Sequence, residues 1–303
     1  MSFSGEIKRM LAAELPPQAC CRAAMLYALL ECGRGFSERE LSFQTEYPEV
    51  AALYESLLVT FAGVRPRREE RGFIILTVPE EQRETVLHRF GHRAGEVALR
   101  LNRGNFDCEH CAAAYVRGVF LACGAVSAPQ TDYHLELSVP TYPLSRDIET
   151  LLSEWDLPPK RIRRKGDNVL YYKDSESIED MLTLMGAGTA ALELMSVKMV
   201  KDIRNNTNRV INCESANIDK VVAAAAGQVG DIRRIERHGG LGQLPSELQE
   251  LARLRLENPE LSLRELGERL EPPLTRSGVN HRLQRIREYA ADLPEGEDLP
   301  DRS

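Results

Sequence analysis

Residues 25–33 read MLYALLECG and residues 116–124 read VRGVFLACG, so an apolar helical stretch ending in Cys-Gly recurs 91 positions later. The register then holds with small insertions. Tyr47-Pro48 returns as Tyr142-Pro143, Glu55-Ser56-Leu57-Leu58 as Glu149-Thr150-Leu151-Leu152, Gly72 as Gly166, and Ile75-Leu76 as Val169-Leu170. An internal duplication restricts the fold more than any other feature, because one supersecondary unit must pack against its own copy. Each unit reads helix, strand, helix, strand pair, helix. The stretch near 17–32 is apolar on nearly every face, which marks a buried helix. Segments 39–45 and 134–138 alternate and read as half-buried strands. Helices follow near 48–62 and 144–156, strand pairs near 64–70 with 73–78 and near 161–165 with 168–172, and closing helices near 79–90 and 174–186. The fold class is α+β, with two units packed about a pseudo-twofold axis and the Cys-Gly helices at the centre.

The 303 residues suit more than one domain, and the formal charge of −7 argues against a chain that coats nucleic acid by bulk charge. No apolar run reaches the length of a membrane span and the start carries no signal-peptide core, so a cytoplasmic, membrane-free protein is expected. The seven cysteines form an odd set without secretory context, as expected for reduced thiols. Cys108 and Cys111 have the CxxC spacing of half a zinc site, but no second CxxC follows. Cys20 and Cys21 complete it only by chance proximity, so the thiols read as small buried apolar groups, and neither a metal nor a cofactor is expected.

The buried helix, the basic strand platform and their duplication resemble the LAGLIDADG homing endonuclease plan. The motif aligns on Val116 to Gly124 and more loosely on Met25 to Gly33. The resemblance implies an αββαββα unit in each half, over residues 1–186, with repeats at about 17–91 and 107–186. In that family the residue before the last Gly is an acid that holds a divalent metal. Here both positions are cysteine, Cys32 and Cys123, and thiols are poor ligands for hard cations. Glu31 is turned about 100° away around the helix. A nuclease scaffold without catalytic residues is therefore expected. Lys160, Arg161, Arg163, Arg164 and Lys165 read either as a solvated hairpin tip or as secondary DNA contacts. The matching Arg65–Arg71 stretch is interrupted by Glu69 and Glu70.

Residues 187–240 read as a helical connector. An apolar stripe runs from Ala191 to Ile203, and five Asn lie within 205–217, where capping and turns are their ordinary role. His238-Gly239-Gly240 is a break. In 241–303, Ser246 to Gln249 and Ser262 to Glu265 both read as capping boxes. Pro272-Pro273 stops the second helix, and Thr275 or Ser277 caps a third. Val279, Leu283, Ile286 and Ala290 form its buried stripe. This is a helix-turn-helix over about 262–290, whose second helix enters the major groove. Its other face offers Thr275, Arg276, Ser277, Asn280, His281, Arg282, Gln284, Arg285 and Arg287 to double-stranded DNA. Between Arg276 and Arg287 there are four Arg and no acid. Arg, Asn and Gln read base edges, while Arg276, Arg282 and Arg287 suit phosphates. The acidity of the chain therefore belongs to other faces.

The duplicated scaffold, the segment NRVINCESANIDK (208–220) and the segment SLRELGERLEPPLTRSGVNHRLQRI (262–286) together resemble the WhiA family. The resemblance implies a non-nuclease, nucleoid-associated DNA-binding regulator tied to sporulation, cell division or chromosome segregation. It also implies a reader similar to the promoter-reading region of sigma factors. In relatives the partners are a WhiB-like iron–sulfur regulator or the RNA polymerase machinery. The competing expectations are a protein-interaction scaffold in cell division with incidental DNA binding, and an active homing endonuclease.

Overall fold

The computed structural model describes residues 2–93, 95, 100–164 and 166–294. It divides into two compact units, 1–202 and 203–303. The first opens with α1 (Phe3–Ala13), which sequence periodicity did not single out; the Ser2 hydroxyl caps it by accepting from Gly5 N. The first repeat then runs α2 (Ala19–Glu31), β1 (Gly35–Phe36), β2 (Leu41–Thr45), α3 (Pro48–Ala62), β3 (Arg67–Glu70), β4 (Ile74–Thr77) and α4 (Glu80–Arg89). The second runs α5 (Cys111–Cys123), β5 (Gly124–Val126), β6 (Leu135–Val139), α6 (Tyr142–Ser153), β7 (Lys160–Arg164), β8 (Asp167–Tyr172) and α7 (Ser175–Leu184). The short β1 and β5 complete αββαββα in each half. At two and three residues they are too short to show alternation.

The two sheets have the same antiparallel order, β1-β2-β4-β3 and β5-β6-β8-β7. Gly72 and Gly166 have φ of 77° and 100° at the β3–β4 and β7–β8 turns, a backbone region that a Cβ penalises. That requirement explains why glycine recurs there in both copies. In β6 Leu135, Leu137 and Val139 are buried, and in β4 Ile74 and Leu76, while β3 and β7 are exposed along their lengths.

The central element is the α2–α5 pair. Residues Ala24 to Leu30 of α2 and Tyr115 to Leu121 of α5 are all buried. A Cβ on Gly118 would lie 2.5 Å from the Met25 carbonyl oxygen and 2.7 Å from the Ala28 Cβ. Only a glycine lets the two backbones approach so closely.

Helix α8 (Gly188–Arg237) is continuous for 50 residues, and the boundary between the units falls within it. The turn expected from the five Asn does not form. Each Asn costs up to about 0.7 kcal/mol relative to Ala in a helix, a penalty that propagation from well-formed turns on both sides outweighs. The apolar stripe from Ala191 to Ile203 is only partly buried. Ala190, Ala191 and Leu194 are buried, whereas Leu192, Met199, Val200 and Ile203 are exposed. The last turns contribute Ile232 and Ile235 to the core of the second unit, with α9 (Ser246–Glu257), α10 (Leu263–Glu268) and α11 (Arg276–Ala291). Among the described residues no helix is long and apolar enough to cross a membrane.

Candidate nucleic-acid interface

The caps set the geometry of α10 and α11. The Ser262 hydroxyl accepts from Glu265 N at 3.3 Å and the Glu265 carboxylate accepts from Ser262 N at 2.8 Å, the reciprocal box expected there. Thr275, not Ser277, caps α11, accepting from Gly278 N at 3.2 Å. The box expected at Ser246 does not form. Pro245 holds the cap position without a side-chain bond, and Ser246 is already helical.

With Val279, Leu283, Ile286 and Ala290 buried, the opposite face of α11 is fixed. Arg276, Ser277, Asn280, His281, Gln284 and Arg287 are exposed, and Arg282 and Arg285 are half-buried. The latter two are engaged by α9. Arg282 donates to the Glu247 carbonyl at 3.1 Å, and Arg285 is paired with the Glu247 carboxylate. The hydrogen bond from Arg285 holds that carboxyl below its ordinary range. Gln284 Nε2 donates to Glu288 at 3.5 Å. Glu247 is thus part of the site, and sequence reasoning missed it. Its signal, an acid in the first turn of α9, was absorbed by the capping reading.

On β7 the cations divide. Arg161 pairs with Glu149 at 3.0 Å and lies over the Tyr142 ring at 5.1 Å. Arg164 pairs with Glu136 at 2.7 Å. Burial raises Glu136, but His134 and Arg164 outweigh it and its carboxyl is held low. Lys160 and Arg163 lie on the same exposed strand; Lys165 falls outside the described residues. On β3 Arg68 pairs with Glu55 and Glu70, and just beyond the strand Arg71 pairs with Glu69.

The two ends of the α2–α5 pair carry the other sequence-singled residues. Cys32 is buried and Cys123 half-buried. They interact with each other, and that contact together with burial pushes the Cys32 thiol well up. Cys123 Sγ donates to the Val119 carbonyl at 3.3 Å. Glu31 turns inward instead. Its carboxylate accepts from Tyr115 Oη at 2.6 Å and lies 3.9 Å from His92 Nε2. Burial raises its pKa to about 8, against the opposing hydrogen bonds of Tyr115 and Tyr27.

At the other end the fold brings together the thiols that the spacing left apart. The Sγ atoms of Cys20, Cys21, Cys108 and Cys111 all lie within 4.8 Å of one another. The proximity treated as chance on sequence is a product of the duplication. The same 91-residue offset that maps Met25 onto Val116 maps Cys20 onto Cys111, and equivalent helix ends meet at a pseudo-twofold axis. Both ends of α2 thus meet the matching ends of α5, so the helices run side by side in one direction.

A duplicated LAGLIDADG-like scaffold followed by a capped helix-turn-helix defines a class of protein. The WhiA LAGLIDADG-like domain matches residues 112–204 and the WhiA C-terminal HTH domain matches residues 207–290. Two relatives named "Probable cell division protein WhiA" are similar along the whole chain. The one from Clostridium botulinum (strain Hall / ATCC 3502 / NCTC 13319 / Type A) is 35% identical over 314 residues, covering 98% of this chain and 100% of its own. The one from Carboxydothermus hydrogenoformans is 36% identical over 310 residues, covering 98% and 99%. The crystal structure of full-length DUF199/WhiA from Thermatoga maritima shares the fold, with a TM-score of 0.58 at 21% identity, covering 98% of this chain and 100% of that one. The chain belongs to the WhiA family.

Proposed function

We propose that the protein is a sequence-specific DNA-binding regulator of cell division, acting at the nucleoid as a transcriptional regulator, and that it lacks nuclease activity. The observation that carries this reading is the outward face of α11. Arg276, Ser277, Asn280, His281, Gln284 and Arg287 are exposed there, with no acid between Arg276 and Arg287, on the second helix of a helix-turn-helix. Asn280, Gln284 and Arg285 suit base edges, and Arg276, Arg282 and Arg287 suit phosphates. Residues 241–303 are the reading domain, 1–186 the scaffold and 187–240 the connector. Arg285 must leave Glu247 to reach a base. The strand platform supports a secondary role, through Lys160, Arg163 and the paired Arg161 and Arg164. The names of the relatives support the division role. Cys32 and Cys123 at the acid positions support the absence of cleavage, because thiols hold Mg²⁺ poorly.

The test is duplex binding as a function of salt. The expected result is salt-dependent binding that selects one duplex over scrambled competitors. Asn280→Ala should lose about 1–3 kcal/mol and relax specificity at one base pair, and Arg276→Ala should weaken all sequences alike. Wild-type protein that shows neither salt dependence nor selectivity rejects the reading, and Mg²⁺-dependent cleavage of any duplex rejects its second half.

A further inference from the structure

We propose that Cys20, Cys21, Cys108 and Cys111 form a structural zinc site that ties the N-terminal ends of α2 and α5 together. Four Sγ–Sγ separations are 3.5 Å (Cys21–Cys108), 3.5 Å (Cys108–Cys111), 3.6 Å (Cys20–Cys108) and 4.0 Å (Cys21–Cys111). A tetrahedron of thiolates at a Zn–S distance of about 2.3 Å has edges of about 3.8 Å. The set therefore has the size of a single tetrahedral ion. A disulfide needs sulfurs about 2.05 Å apart. An iron–sulfur cubane places its irons and sulfides between the four cysteines and holds them well apart. Soft thiolates select zinc over the hard cations.

The local structure fits a thiolate site. Cys20 and Cys21 lie in the first turn of α2 and Cys111 begins α5, so both helix dipoles favour negative sulfur there. The His110 backbone N–H is directed at the Cys108 sulfur. Binding Zn²⁺ forms four Zn–S bonds and releases to solvent the protons the thiols carried, with no change of oxidation state. Cys20 and Cys108 are half-buried and Cys21 and Cys111 buried, which gives the ion an entry side and a closed side. The site links residues from both repeats. It acts as a cross-link where the α2–α5 pair begins.

The experiment is metal analysis of the full chain purified under reducing conditions. About one zinc per chain is expected, the stoichiometry of one closed tetrahedral site. It should be retained in Cys213→Ser and lost in the Cys108→Ser, Cys111→Ser double variant. Because that variant can lose its fold, Co²⁺ is also added to chelator-stripped wild-type protein. Intense visible bands of a tetrahedral tetrathiolate, displaced by Zn²⁺, are the expected spectrum. Iron in place of zinc, a mass deficit from disulfides in the reduced preparation, or wild-type protein that takes up neither Zn²⁺ nor Co²⁺ overturns the proposal.

Discussion

The two ends of the α2–α5 pair show how position decides what a cysteine does. At the C-terminal ends, Cys32 and Cys123 face each other, and that contact with burial drives the Cys32 thiol upward. The helix dipoles there oppose negative charge. At the N-terminal ends a backbone N–H is directed at the Cys108 sulfur, and four sulfurs crowd into a space one ion would fill. The same residue type is an inert packing group at one end and a ligand set at the other. The difference lies in helix polarity and in the number of sulfurs that the twofold arrangement brings together.

The comparison depends on the close approach between the two ends, and Gly118 is the place to break it. Gly118→Ala gains up to about 1 kcal/mol of helix propensity. Its Cβ must displace the Met25 carbonyl and the Ala28 Cβ, groups that cannot swing aside. Overpacking of this kind costs about 1–3 kcal/mol. Gly118→Val, with two more carbons in the same space, costs more and should leave the first unit unfolded at room temperature. The second unit has its own core, so calorimetry should show its transition unchanged. Loss of both transitions, or of neither, contradicts the packing argument.

Much of this was legible beforehand, and the gaps have physical causes. The duplication, the recurrence of glycine at 72 and 166 and the Ser262–Glu265 box are written in the sequence pattern, which the fold preserves. The connector reads as helical from its pattern, and only its Asn-rich middle points to a turn; Asn propensity is a small local term, and cooperativity across 50 residues overrides it. The four-cysteine cluster was invisible to spacing, because its halves lie almost 90 residues apart and meet only when equivalent helix ends pair. The repeat offset held the clue, since it places Cys20 over Cys111. On α11 periodicity marks the buried stripe and the exposure of Arg276, Ser277, Asn280, His281, Gln284 and Arg287, but not the half-burial of Arg282 and Arg285. Nor does it mark the hold of Glu247 on Arg285, because that depends on how α9 crosses that face.

Glu31 sharpens the account of the C-terminal end. Its neighbours are Tyr115, Tyr27 and His92, and its pKa is raised from 4.5 to about 8. The folded state therefore binds this proton more tightly than the unfolded chain. The stabilisation is complete below about pH 4.5 and is lost as pH rises towards 8, by linkage on the order of 5 kcal/mol. Denaturant titrations should show Glu31→Gln without this part of the slope, so that wild type minus variant falls with pH across that window. A difference that rises or stays flat would mean that the Glu31 carboxylate is ionised in the fold.

The smallest expected effect separates the two cysteines of the inert end. Cys32 is buried and Cys123 is half-buried. Removing a buried sulfur leaves a cavity, so Cys32→Ala should cost about 1 kcal/mol, and Cys123→Ala, where solvent and neighbours can fill the gap, a few tenths. Their mutual contact makes the pair non-additive, and the double variant should cost less than the two singles together. Thiol labelling of the folded wild type should follow the same order, with Cys213 on the exposed face of α8 reacting first and Cys32 last. Rapid labelling of Cys32 would show that the C-terminal end opens readily. In that case the restraint on the helix pair lies wholly with the four sulfurs at its other end.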